Sequence, residues 1–352
     1  MSNNKPGMLY KTIITTMVLI LAGLYPSCTL NDDWEEYYKD LPGQVDLNIL
    51  DLLAEDENYS LFYEGLLKYG FDDLLSKNQY FTLFVPVNSA FEGLPEFSDN
   101  EWRKIFSFHI LYKGLFSHDF TDVNIMTTAG KYLDLKSTGE NQFFVSGSRV
   151  NMDHVDNYCQ NGVIHEIDRL LIPSPNIYEY IMSLDSDYSI LKSFLSSMDR
   201  RFIDYENSQR IGVDDEGNTI YDTVWTEENY FLDKIAGLNN EDGAYTAFLP
   251  SNNHVLSALD DVSEFFGNIE ELDEDSYNQL LFITFTGSFT GNIYTSENIP
   301  DTILSVTGKT IDGSMLSFSQ ADLKVSNGMI HMLAEMTIPT DYFLMPIVIE
   351  CD

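Results

Sequence analysis

Two histidines stand at the same place in two similar stretches of the sequence. His165 lies in NGVIHEIDRLLIP, which begins at Asn161, and His331 lies in NGMIHMLAEMTIP, which begins at Asn327. Histidine binds metals and transfers protons near neutral pH, so a site formed by this pair is one hypothesis. The alternative, which we favour, is a buried histidine whose ring bonds a backbone group, because each lies in a run of strand-forming residues.

Other residues that could do chemistry do not form a recognisable site. The segment HEID fails the zinc-protease pattern because Arg169 stands where a second histidine is needed, and the sequence contains neither G-x-S-x-G nor C-x-x-C. Cys159 precedes the turn residues QNG and is interpreted as structural. His118, His154 and His254 show no metal-ligand spacing. We therefore expect a non-enzymatic protein without metal or cofactor.

The segment QRIGVDDEGNTIYDTVWTE alternates apolar and polar residues around a turn-rich centre, which predicts a long β-hairpin. Asp214, Asp215 and Glu216 at its tip could bind Ca²⁺, but the spaced ligand set of a calcium loop is missing, so a solvated tip is favoured. Tyr221 and Trp225 are candidates for an exposed aromatic binding surface. Incidental packing is the alternative for both.

Composition and charge restrict the function classes. The 352 residues include 44% hydrophobic and 13% aromatic residues, which predicts a folded chain long enough for two domains. Its 56 acidic and 19 basic residues give a net charge of −37. Such a chain repels phosphate backbones, so nucleic acid is excluded as a partner.

The beginning of the sequence has the features of a bacterial lipoprotein. Lys5 and Lys11 precede an apolar stretch at 12–24, too short to span a bilayer, and Ser27 stands before Cys28. We predict a signal peptide at residues 1–27, lipidation of Cys28 and an acidic tether at 28–43. This implies a lipid-anchored, surface-exposed protein of a Gram-negative outer membrane. An ordinary signal peptide with an incidental cysteine is the alternative.

A second pair of similar stretches shows that the chain is a tandem repeat. YFTLFVPVNSAFEGLP, from Tyr80, reads as a buried strand ended by Pro86, the helix cap Asn88 and a short helix. AYTAFLPSNNHVLSAL, from Ala244, repeats this order with Asn252 as the cap. Pro86 lies 75 residues before Asn161, and Pro250 lies 77 residues before Asn327. Two motifs recurring in the same order at nearly the same spacing indicate a duplication.

These motifs resemble those of the fasciclin-like (FAS1) family. The apolar strand, the proline, the polar pair and the Ala-Phe that ends at Phe91 match its first hallmark, with Val87 in place of the usual threonine. The Asn-Gly pairs at Gly162 and Gly328, each followed by an apolar strand with a histidine and a closing proline, match its second. In the second copy, His254 and Val255 replace Ala-Phe.

The resemblance implies an α+β protein of two tandem domains, each a wedge or sandwich of β-strands packed with α-helices. We place them at residues 44–175 and 176–340, followed by a tail at 341–352. It also implies adhesion to, or binding of, an extracellular protein or glycan. The alternative is an accessory glycan-binding component of an outer-membrane polysaccharide uptake complex, with a transporter as a partner.

Between the hallmarks, SDNEWRKIFSFHILYKGLF predicts an amphipathic helix with Ser98 and Glu101 in capping-box spacing. Phe108 and His109 stand where the family often carries Tyr-His, a site linked to receptor adhesion in animal relatives. His109 also lies on the apolar stripe, and the second copy has no such histidine. We therefore favour packing for His109.

Overall fold

A computed structural model describes residues 47–139, 142–214, 216–339 and 342–343. The predicted signal peptide, Cys28, the tether and nearly all of the predicted tail lie outside the described residues. Within them, no helix is long and apolar enough to cross a membrane.

The first half contains two four-stranded sheets, with strand orders β2-β1-β8-β7 and β3-β4-β5-β6. Single 3₁₀ turns lie at Glu57–Tyr59, Asn88–Phe91, Ser117–Asp119 and Met152–His154. The helices are α1 (Ile49–Glu55), α2 (Ser60–Lys68), α3 (Asp72–Leu75) and α4 (Asp99–Phe108). The strands are β1 (Phe81–Pro86), β2 (Ile110–Leu111), β3 (Val123–Met126), β4 (Tyr132–Gly139), β5 (Gln142–Val145), β6 (Ser148–Arg149), β7 (Asn157–Cys159) and β8 (Gly162–Ile167).

The second half repeats the first of these sheets, with strand order β14-β13-β18-β17, and adds the two-stranded sheets β9-β12, β10-β11 and β15-β16. Its 3₁₀ turns are Ser186–Tyr188, Ser263–Phe265, Ile269–Glu271 and Gly313–Met315. The helices are α5 (Ile177–Ser183), α6 (Ser189–Ser197), α7 (Tyr230–Lys234), α8 (Asn252–Asp261) and α9 (Glu274–Phe285). The strands are β9 (Asp199–Ile203), β10 (Gln209–Val213), β11 (Thr219–Asp222), β12 (Trp225–Asn229), β13 (Tyr245–Leu249), β14 (Phe289–Thr290), β15 (Thr302–Leu304), β16 (Thr310–Asp312), β17 (Phe318–Val325) and β18 (Gly328–Leu333).

The two sequence motifs of each half are neighbours in its sheet. Strand β1 pairs in parallel with β8, and β13 pairs in parallel with β18. All six residues of β1 are buried, which confirms the predicted buried strand. Parallel strands covered on both faces need such continuous apolar runs. Mixed helices and strands in both halves make the protein α+β, as predicted.

Each Asn-Gly motif places a glycine where two strands come very close. Gly162 has φ of +155°, and a Cβ there would collide with the carbonyl of Phe81. At Gly328, a Cβ would collide with the carbonyl of Tyr245 in the same way. Only glycine fits such a close approach between backbones, which explains why it occurs in both copies.

The two halves bury separate apolar cores. One cluster of the first half is built around α1, α2 and β1, and a second packs the two sheets together. The main cluster of the second half runs from Ile177 to Tyr342 and is joined by a smaller one around Phe248. Helix α4 begins with the predicted capping box, because the Ser98 hydroxyl accepts from the Glu101 N–H at 3.3 Å and Glu101 accepts from the Ser98 N–H at 2.7 Å.

A buried lysine joins the two halves. Nζ of Lys131 lies 2.6 Å from the carboxylate of Glu179 and 2.5 Å from that of Glu241, and its side chain is only 8% exposed. Lys104 also binds Glu179, at 2.6 Å. Burial disfavours the charged form of Glu179, but the hydrogen bonds from the two lysines outweigh it and lower its pKa to about 2.

Candidate binding surface

Asn88 and Asn252 begin helical turns, but their side chains do not cap them, so the prediction that they are N-caps of the following helices is wrong. Residues Val87 and Ser251 occupy those cap positions, and neither makes a side-chain cap bond. Each asparagine instead caps a distant helix. The Asn88 amide oxygen accepts from Leu61 N–H in α2 at 3.0 Å, and the Asn252 amide oxygen accepts from Ile190 N–H in α6 at 3.0 Å.

Asn161 and Asn327 also make equivalent bonds in the two halves. The Asn161 amide oxygen accepts from the N–H of Ile49, the first residue of α1, at 2.9 Å. The Asn327 amide oxygen accepts from the N–H of Ile177, the first residue of α5, at 2.9 Å. Both amide nitrogens donate to backbone carbonyls. These asparagines tie the helix that opens each half to the central strand pair.

His165 and His331 lie fully buried in β8 and β18. His165 Nε2 donates to the Leu115 carbonyl at 2.7 Å, and Nδ1 accepts from the N–H of Asp156 at 3.2 Å. In the second half, His331 Nε2 donates to the Tyr294 carbonyl at 3.0 Å, and Nδ1 accepts from the N–H of Asp322 at 3.3 Å. Both ring nitrogens are therefore occupied by the backbone. Burial lowers the pKa of His165 to about 4, so its ring is neutral at pH 7.

The aspartates that bond these histidines were missed by the sequence interpretation. Asp156 and Asp322 have φ of +54° and +60°, and each lies nine residues before its histidine. Their carboxylates accept from Ser117 N–H and Ser296 N–H, both at 2.8 Å. The common nine-residue separation is a sequence signal that could have revealed them.

His109 lies at the end of α4 and is also fully buried. Its Nδ1 donates to the Ile105 carbonyl at 2.8 Å, and Nε2 accepts from the N–H of Leu171 at 3.0 Å. Burial lowers its pKa to about 4. Because the ring is enclosed and both nitrogens are bonded, it cannot reach a partner protein in this conformation.

Other candidate residues of the first half are also internal. Phe91 is partly buried and lies against the Trp102 ring, with centroids 6.4 Å apart. Cys159 is a buried free cysteine, and burial raises the pKa of its thiol to about 12, so little thiolate forms at pH 7. Among the described residues, no group of three histidine, cysteine or carboxylate side chains could hold a metal ion.

The hairpin of the second half is longer than predicted. It extends from Asp199 to Asn229, with β9 paired to β12 and β10 paired to β11. The hairpin connects α6 to α7. In the first half, the corresponding helices α2 and α3 are connected only by residues 69–71, so the hairpin is an insertion in the second half. At its tip, the carboxylate of Asp214 accepts from the N–H groups of Glu216 and Asn218 at 3.0 and 2.7 Å. This carboxylate thus stabilises the turn, while Asp215 lies outside the described residues.

The hairpin presents large apolar side chains to solvent. Trp225 in β12 is 48% exposed, and the Arg201 guanidinium lies 4.8 Å from its ring centroid, close enough for a cation–π contact. Tyr221 is placed in β11 opposite Arg210, and its side chain is not described. The other exposed apolar residues of the hairpin are Phe202, Tyr205, Ile211, Val213, Ile220 and Val224. Exposed tryptophans such as Trp225 are frequent at interaction sites.

Comparison with known families finds a match in the first half. The family model of the fasciclin domain matches residues 57–173. This part of the chain is therefore similar to fasciclin domains. The match includes both hallmark motifs, the capping asparagines Asn88 and Asn161, and the buried histidines His109 and His165. The second half repeats the order of the central sheet and the hydrogen bonds of Asn88, Asn161 and His165.

Known proteins with similar sequences include a FAS1 domain-containing protein and periostin. A FAS1 domain-containing protein of Saccharomyces cerevisiae is 27% identical over 251 residues, which cover 67% of this chain and 28% of the relative. Periostin of Homo sapiens is 28% identical over 138 residues, which cover 37% of this chain and 16% of periostin. The chain therefore spans less than a third of either relative. A solved FAS1 domain pair from the insect cell adhesion molecule fasciclin I aligns with a TM-score of 0.31 and 15% identity, over 82% of this chain and all of that one.

Proposed function

We propose that the protein is a non-enzymatic binding protein of the cell envelope, in which the hairpin binds an extracellular protein or glycan. Fasciclin domains occur in cell adhesion and extracellular matrix proteins, which supports an adhesive role. The observation that carries the proposal is the number of exposed apolar side chains on the hairpin, which include Trp225. The repeated asparagines and histidines, by contrast, are engaged in internal hydrogen bonds.

The binding test replaces Trp225 with alanine. Central aromatic residues often contribute most of the binding energy of an interface, so we expect Trp225→Ala to weaken binding by about tenfold or more. Wild-type and variant proteins would be compared on glycan arrays and on immobilised extracellular matrix proteins. Tyr112→Ala removes an aromatic side chain that is 56% exposed in the first half and is the matched control. Unchanged binding by the Trp225 variant would remove the hairpin from the proposal.

The same measurement separates the two forms of the proposal. Trp225 offers an aromatic ring of the kind on which sugars stack, and this favours a glycan-binding component of an outer-membrane uptake complex as the second candidate. Binding only to oligosaccharides, together with co-purification of an outer-membrane transporter, would support it. Binding only to proteins would support adhesion.

We also propose that the mature protein is anchored in the outer membrane through acylated Cys28. The apolar stretch at 12–24 and the small residue before Cys28 support this. Cys28→Ala should lose acyl labelling and leave the membrane fraction, because the lipid on one thiol supplies the anchor. An acylated, membrane-bound Cys28→Ala protein would overturn the anchorage.

A further inference from the structure

Ser288 of the second half stands at the position of His109 in the first. The N–H of Phe84 donates to the His109 carbonyl at 3.0 Å, and the N–H of Phe248 donates to the Ser288 carbonyl at 2.7 Å. Strand β14, which follows Ser288, pairs with β13 as β2, which follows His109, pairs with β1. The two backbones are therefore equivalent at this point, whereas the side chains differ by an imidazole ring.

A cavity of about 90 Å³ lies beside Ser288 and Phe248. Two of its lining residues occupy the positions that hold the His109 ring in the first half. Thr284 precedes Ser288 by four residues, as Ile105 precedes His109. Thr337 follows His331 by six residues, as Leu171 follows His165. The cavity therefore adjoins the position that the imidazole occupies in the first half.

The hydroxyl of Ser288 is left without a partner in this cavity. Ser288 is 1% exposed, and its Oγ has no hydrogen-bond partner among the residues that the structure describes. Thr284 differs, because its hydroxyl donates to the Leu280 carbonyl at 2.8 Å. The rest of the lining is mostly apolar, with Phe248, Ile311, Met315, Leu316, Leu333, Met336, Ile338, Pro339 and Tyr342, and its other polar side chains are Asp312, Glu335 and Thr337. A buried polar atom that lacks a partner is unfavourable unless something else bonds it.

We propose that this cavity binds a small, neutral ring compound of about the size of an azole, with a nitrogen or oxygen that bonds the Ser288 hydroxyl. Most of the wall is apolar, and this favours a compound with an apolar ring over water alone. A cavity of about 150 Å³ accommodates benzene, so the smaller volume here suits a five-membered ring. This site is separate from the hairpin and does not depend on the function proposed for it.

The probe is 4-methylimidazole, which reproduces the histidine side chain. It would be added to the full chain at about pH 9, where the neutral form dominates and can enter an apolar cavity. We expect saturable binding by calorimetry and a rise in Tm that grows with ligand concentration. A crystal soaked with the compound should show its ring beside Ser288.

Three variants make the test specific. Ser288→His should abolish binding, because the new ring fills the cavity as His109 does in the first half. Ser288→Ala keeps the space but loses the hydroxyl, so binding should weaken by about tenfold. Ser183→His adds an exposed histidine and should bind as the wild type does. The proposal is overturned if the wild type does not bind, if the compound lies elsewhere or water alone fills the cavity, or if both Ser288 variants bind normally.

Discussion

At the scale of single residues, duplication distinguishes a requirement of the fold from a site. His165 and His331 bond the same two backbone positions in both halves. Their recurrence in the sequence predicted burial, but it could not identify the bonded carbonyls of Leu115 and Tyr294, which come from distant segments. A ligand site would not require the same internal bonds in two copies that otherwise differ.

The His165→Ala variant tests this role. Loss of the ring removes packing and leaves the Leu115 carbonyl and the Asp156 N–H without their partner, so the free energy of unfolding should fall by about 1 to 3 kcal/mol. Denaturant unfolding at neutral pH measures the change. His118→Ala is the control, because the His118 side chain is 64% exposed. Equal stability of the two variants would contradict a structural role for His165.

The buried histidines His109 and His165 predict that the stability of the protein depends on pH. The pKa of His109 and of His165 is about 4 in the folded protein and about 6.5 in an unfolded chain, so the unfolded state binds more protons between these values. Their contribution to stability is complete above about pH 6.5 and is lost as the pH falls towards 4. Denaturant unfolding across this range should show a shallower decline for His165→Ala than for the wild type. Parallel curves would contradict this.

At the scale of elements, patterns between residues close in the sequence were predicted, and bonds between distant segments were not. The buried strand β1 was predicted because its residues are nearly all apolar, and the capping box of α4 because its two partners are three residues apart. The caps assigned to Asn88 and Asn252 were wrong because a local pattern does not reveal a bond to a helix 27 or 62 residues earlier.

The hairpin, too, was predicted only where its pattern is local in the sequence. Its central part, which alternates apolar and polar residues, was predicted, whereas the ribbon of β9 and β12 was not. Strand β9 has the sequence DRRFI, in which consecutive charged residues hide the period of two. Its pairing comes from backbone bonds to a segment more than twenty residues away.

At the scale of the whole molecule, the contact between the halves could not be predicted. Lys131 follows a turn in the first half, and its partners Glu179 and Glu241 are 48 and 110 residues away. Each half has its own core, so we predict that both halves fold when the chain is cut near Ser174. Lys131 and Lys104 of the first half both bind Glu179 of the second, so these ion pairs connect the halves.

Lys131→Met tests this contact. The substitution leaves the buried Glu241 carboxylate without its lysine, so the intact chain should lose about 3 kcal/mol of stability. Small-angle scattering should also show a more extended, variable arrangement of the halves. Lys136→Met, which breaks an exposed ion pair with Asp134, is the control and should change neither measurement. A compact, fully stable Lys131 variant would show that other contacts hold the halves.

The hairpin also bears on how the protein behaves at high concentration. Within the described part of the chain, the outer edges of this two-stranded ribbon have no neighbouring strand, and such edges are templates on which further strands can pair. Repulsion between copies that each carry −37 charges opposes such pairing. Salt shortens the range of this repulsion from about 10 Å at 0.1 M to about 3 Å at 1 M. The acidity of the chain therefore opposes association of the hairpins, and we expect this opposition to weaken as salt is added.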